Sequence, residues 1–165
     1  MKIIIPPDLL ISLKNKHLLL DTNVFIDSLL HPAAFTYFFN ELRSADITLV
    51  TIDLVKIEFL RGASDDNDHK RKEEFLEDIT DLVLPTDINT VKNVYKLVKD
   101  YRIQGKTIAM ADLYLGANLM RYNTTLYLLT RNTNDFPLRL FDLDYVINYP
   151  LDKGIFTYGV YKIKP

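Results

Sequence analysis

His17-Leu18-Leu19-Leu20-Asp21-Thr22-Asn23-Val24-Phe25-Ile26-Asp27 is the stretch on which the fold turns. A short apolar run closed by a carboxylate reads as a buried parallel strand that delivers Asp21 at its C-terminal end, with a helix following through Val24 to Leu29. His31-Pro32 breaks that helix, and residues 33–45 (AAFTYFFNELRSA) resume helical apolar spacing. The β-branched segment Ile47–Thr51 predicts a second strand. Thr51 is expected to cap a helix over residues 52–62, which ends at Arg61-Gly62.

Further along, the charged residues 63–72 (ASDDNDHKRK) read as a solvated loop that enters an amphipathic helix at Glu73. Leu82–Pro85 predicts a third strand, and Thr86 or Asp87 caps a helix to about Arg102, with Gly105 closing it. Thr107 is expected to open the next helix. Leu126–Thr130 reads as a strand, the loop Arg131–Phe136 follows it, and Asp144–Tyr149 reads as a last strand. Strands that alternate with helices imply parallel pairing through crossovers, so the fold class is α/β: a three-layer α/β/α sandwich with a central, mostly parallel sheet. The functional crevice of such a sheet lies beyond the strand C-termini, where Asp21 and the loop after Thr130 both fall.

The chain has 165 residues, 48% of them hydrophobic, enough to bury a core as one domain without metal or disulfide staples. Residues 1–16 read as an N-terminal extension and 17–165 as the domain proper. Cysteine is absent, which excludes thiolate chemistry and gives an oxidising compartment no support, so the cytoplasm is the expected location. Pro6, Pro7 and Asp8 interrupt the first apolar run, and no stretch has the uninterrupted length that a membrane span needs. A net charge of −2 supplies no global pull toward nucleic acid, so any such contact must be local. The 10 tyrosines and 9 phenylalanines read mainly as core or subunit interface.

Four acids stand out. Helical geometry sets Glu58 between Leu54 and Val55 on a face expected to be buried, and Asp112 among Ile108, Leu115, Gly116 and Leu119. A buried carboxylate costs several kcal/mol unless a cation or donors compensate it. Each acid has a structural reading when taken alone. Asp21 can serve as an N-cap, Glu58 can pair with Arg61, Asp112 can accept from a neighbouring strand end, and Asp135 before Phe136-Pro137 can be turn chemistry. Together, one acid at a strand end, two on helix faces and one in a strand-end loop can share a crevice. Clustered carboxylates repel unless a cation lies between them, and all-oxygen ligation favours a hard ion, Mg²⁺ or Mn²⁺, with a phosphate-containing substrate.

From His17 to Tyr149 the chain resembles PIN-domain proteins, including the VapC-type toxin ribonucleases. The resemblance is carried by LLLDTNVFID (Asp21, Asn23), VKIEFLRG (Glu58), RIQGKTIAMADLYLGANLM (Asp112) and LLTRNTNDF (Thr130, Asn132, Asp135). It implies a metal-dependent endoribonuclease in which Asp21, Asp112 and Asp135 are direct or water-mediated ligands of Mg²⁺ or Mn²⁺. Glu58 would bind a second ion or orient the attacking water. Asn23 and Asn132 would hold ligand carboxylates in place, and Thr130 would donate to one of them. Lys56, Arg61, Lys106 and Arg131 lie beside the acidic motifs as candidate phosphate contacts, each of which can equally be ordinary solvated charge. His31 and His69 are assigned no role. The resemblance also implies an RNA substrate, an antitoxin protein as partner and a homodimer, to which Phe35–Phe39 can contribute unless they are core. Two departures from the family pattern are the residues before His17 and the elaborated segment around Asp65-Asp66.

Two other functions compete. One is a PIN-like RNA-binding or scaffold module without catalysis, against which the retention of all four acids counts. The other is an aspartate-based phosphatase, which LLLDTN fits superficially. That pattern resembles one with a second aspartate two residues on, where this chain has Asn23.

Overall fold

The computed structural model describes residues 2–103 and 105–165. The sheet grows outward from β1 (His17–Leu20), whose three leucines are fully buried. A strand buried on both faces must be apolar throughout, and β1 is flanked in parallel by β2 (Thr48–Ile52) and β4 (Leu126–Thr130), with Leu19 opposite both Val50 and Leu128. β3 (Leu82–Leu84) adds a fourth parallel strand beside β2.

Beyond β4 the sheet changes sense. β5 (Phe141–Leu151) and β6 (Gly154–Ile163) form a long antiparallel hairpin, and β6 pairs with β4, giving the order β3-β2-β1-β4-β6-β5. The expected strand at 144–149 is thus the middle of a longer one. β6 is the strand that sequence reading lacks.

The helices are α1 (Pro7–Ser12), α2 (Thr22–Leu30), α3 (Pro32–Ser44), α4 (Asp53–Arg61), α5 (Asp66–Ile79), α6 (Ile88–Ile103) and α7 (Met110–Tyr122). Three of them correct the expected boundaries. α5 begins inside the charged stretch read as a loop: Asp65 caps it by accepting from the Asp68 amide at 2.8 Å, and Asp68 accepts from Arg71 at 2.7 Å. The run is helical because its opposite charges pair along one face. α4 is not capped by Thr51, which belongs to β2 and whose buried hydroxyl has no hydrogen-bond partner. α7 starts three residues after Thr107, with Ala109 at its N-cap.

α7 lies close against α6. A Cβ on Gly116 would stand 3.1 Å from both Leu97 Cδ1 and Phe141 Cζ, so glycine permits this approach. At the other end of the chain, Leu9 and Leu13 are fully buried in the common core and Ile4 N donates to Asn148 O at 2.8 Å, so the segment from Ile4 to Leu13 packs with the domain. Phe35, Phe38 and Phe39 are core residues, with Phe35 edge-on to Tyr149 and Tyr158. No helix is long and apolar enough to cross a membrane, among the described residues.

Candidate metal centre

The β1 and β4 termini lie side by side, which brings the Asp21 carboxylate to the end of β4. Asp21 caps α2. Its Oδ1 accepts from the Thr22 amide at 2.6 Å, and its Oδ2 accepts from Asn23 Nδ2 at 2.5 Å and Thr130 Oγ1 at 2.6 Å. Burial pushes the Asp21 carboxyl above the usual carboxylate range, against the downward pull of Thr130, Thr22 and Asn23. Asn23 is itself fixed, since its Oδ1 accepts from the Arg131 amide at 3.0 Å. Thr130 Oγ1 also accepts from the Asn132 amide at 2.9 Å, which shapes the turn after β4.

That turn continues into a single 3₁₀ turn, Thr133–Asp135. The Asp135 carboxylate accepts from Asn132 Nδ2, and its carbonyl accepts from the Tyr101 hydroxyl at 2.5 Å. Asn23, Thr130 and Asn132 thus each donate to the Asp21 or Asp135 carboxylate. Tyr101 was not singled out by sequence. It is buried at the end of α6, and burial, then the charges of Asp135 and Asp112, raise its pKa and keep the hydroxyl a donor.

Asp112 sits in the first turn of α7, 7% exposed, and accepts no hydrogen bond among the described residues. Its carboxyl is pushed up to about 7 by burial and, in decreasing order, by the charges of Asp21, Asp135 and Glu58. That dependence on three other carboxylates places all four acids in one electrostatic neighbourhood. The position of Glu58 differs from expectation. α4 buries Val55 and Phe59, and Glu58 faces outward at the rim, where its Oε2 accepts from Thr22 Oγ1 at 2.5 Å. Glu58 is exposed because α4 buries only a narrow stripe, Val55 and Phe59. Thr22 is a second residue that sequence reading missed, although its place between Asp21 and Asn23 was a signal.

The donor set suits a hard divalent cation: only carboxylate oxygens, mutually repulsive, with one acid raised toward neutrality and lacking donors. The acids form neighbours rather than a closed cage. Among the described residues no three His, Asp or Glu side chains are already drawn together tightly enough to grip an ion.

The four candidate phosphate contacts separate. The Arg131 guanidinium lies 3.3 Å from the buried Asp27 and 4.4 Å over the Phe156 ring. Asp27 also accepts from the Tyr158 hydroxyl at 2.6 Å, so β6 steadies this corner of the site. Asp27 lies within the first motif, but its partner could not be read without β6. Lys106 Nζ donates to the Asn134 carbonyl at 2.7 Å, beside Asp135. Lys56 faces a separate cavity with Leu60, Leu76 and Val83, and Arg61 is exposed at the end of α4.

Residues 18–137 match the family model described as PIN domain. The chain belongs to the PIN-domain family. Its match ends before β5, so the hairpin that contributes Tyr158 and Phe156 lies outside the matched region. Among solved structures, the PIN fold here is similar to VapBC-1 from nontypeable Haemophilus influenzae, at TM-score 0.59 and 21% identity, covering 73% of this chain and 90% of that one. It is also similar to VapBC2 from Rickettsia felis bound to a DNA fragment from their promoter, at TM-score 0.57 and 17% identity, covering 67% and 84%. No curated protein matches the chain.

Proposed function

We propose that this PIN domain is a Mg²⁺- or Mn²⁺-dependent endoribonuclease that hydrolyses RNA to 5′-phosphate and 3′-hydroxyl ends. The observation that carries the reading is Asp112: a buried carboxyl without a donor among the described residues, raised to about 7 by burial and then by three neighbouring acids. An arriving cation would offset the repulsion among these acids and favour loss of the Asp112 proton, so the same group would link protonation and metal capture. Asp21, Asp112 and Asp135 would hold the ion, with Glu58 at the rim. When bound, it would activate a water and stabilise the charge that grows on the phosphate. Asn23 and Thr130 keep the Asp21 oxygens oriented, and Asn132 does so for Asp135. Arg131, half-exposed though paired with Asp27, and Lys106 stand where phosphate oxygens would pass.

The similarity to two VapBC structures supports a toxin role with an antitoxin protein as partner, and we take a homodimeric assembly in the cytoplasm as part of the same proposal. The experiment is cleavage of RNA by purified protein with Mn²⁺, with EDTA, and with Asp112→Asn plus Mn²⁺. Cleavage in the first reaction alone is expected. Intact RNA in every reaction, or equal cleavage by the variant, overturns the reading.

A further inference from the structure

Helix α6 carries a line of cations that the acid pocket does not use. Lys92, Lys96, Lys99 and Arg102 recur every three or four residues, so they lie along one side of the helix over about 15 Å of its axis. All four are exposed, and none forms an ion pair among the described residues. On α5 the situation is opposite: Lys70 pairs with Glu74, and Arg71 and Lys72 with Asp68. The single acid within α6 is Asp100. Apolar side chains interleave with the cations, Tyr95 at 70% exposure and Ile88 at 65%.

The stripe also has a direction. The start of α6 is tied to the far end of α7 by Asp87 and Arg121 at 2.5 Å, whereas its last turn reaches the pocket through Tyr101 and the Asp135 carbonyl. Arg102 is therefore the cation of the stripe nearest the acids. We propose that this face of α6 is a track for single-stranded RNA, leading it to the pocket by phosphate contacts to Lys92, Lys96, Lys99 and Arg102 and by a base stacked on Tyr95. This rests on the RNA-cleavage reading above. A basic face with an exposed aromatic ring suits a flexible single strand, whose bases are free to stack. The local arrangement also resolves how a chain of net charge −2 can hold a polyanion.

The test is fluorescence anisotropy with a labelled oligouridine in EDTA, so that binding is read without cleavage. Wild type is compared with the triple variant Lys92→Ala/Lys96→Ala/Lys99→Ala, with Tyr95→Ala, and with Lys70→Ala on the charge-balanced helix. In the triple variant the slope of log affinity against log salt should shrink by about two, at ~0.7 per phosphate on a single strand, and affinity at low salt should fall roughly tenfold. Tyr95→Ala should weaken binding about tenfold with the salt slope kept, and Lys70→Ala should match wild type. Wild-type binding with an unchanged triple variant overturns the track and leaves the nuclease reading standing. Equal losses for heparin and RNA, with Tyr95→Ala silent, overturn it in favour of an acidic protein partner. A wild type that neither binds nor cleaves RNA overturns both.

Discussion

Asp21 and Asp112, the two buried acids of the candidate site, are held in opposite ways. Asp21 is wrapped by three donors from β4 and α2, while Asp112, on the helical wall, has none and is surrounded by like charge. The difference separates a carboxylate built into the scaffold from one that a cation must complete. Both are raised by burial, yet hydrogen bonds oppose the rise only at Asp21.

Activity gives the largest expected contrast with the scaffold. Asp112→Asn should lower Mn²⁺-supported RNA cleavage on the order of 10³-fold, since on the proposed reading it would remove a ligand of an ion worth several kcal/mol in the transition state. Single-turnover rates check this, and a loss below tenfold would break the assignment. Thr130→Val, which deletes one support of Asp21, should weaken Mn²⁺ affinity by about 10–100-fold, as measured by calorimetric titration.

Stability then sharpens the comparison by sign. In Asp21→Asn an amide N–H must face either the Thr22 N–H or the Asn23 and Thr130 donors, a buried mismatch worth about 1–3 kcal/mol of destabilisation by urea unfolding. Asp112→Asn should instead stabilise the metal-free protein above pH 7, raising Tm by about 2–4 °C, the equivalent of 1 kcal/mol in a domain of this size. Equal signs would erase the distinction.

The smallest effect is the pH dependence of that gain. An acid whose folded pKa is about 7, against an unfolded value near 4, binds more protons folded than unfolded between the two. Metal-free stability should therefore fall through this group as pH rises from about 4 to about 7 and then level off. Asp112→Asn should lack that component, and Mn²⁺ should suppress it in the wild type; thermal melts across the range check both.

Much of this was legible in sequence where local chemistry decides the structure. β1 and β4 announced themselves by apolar runs, and Asp87 caps α6 through the Asn89 and Thr90 amides as its position suggested. The carboxylates were legible as a set, with Asp135 resting on family resemblance. What sequence concealed was tertiary. Glu58 looked buried because helical spacing says nothing about how far a neighbouring layer extends. α5 looked like loop because side-chain pairing within a charged run is invisible to a polarity count. β6 was missed because the hairpin turn at Asp152-Lys153 was not read and because its insertion between β4 and β5 depends on β4. The Asp27–Tyr158 contact shares that blindness, with 131 positions separating the two residues.

The place of β6 in the sheet bears on how the protein is made. It follows every other strand in the sequence yet lies inside the sheet, so while the chain emerges from the ribosome β4 keeps an open edge beside the nascent pocket. All four acids are synthesised before Tyr158 arrives to fix Asp27 and, through it, Arg131. Maturation of that corner thus waits for β6, and a nascent chain stalled before Gly154 carries the acids without the strand that steadies the site.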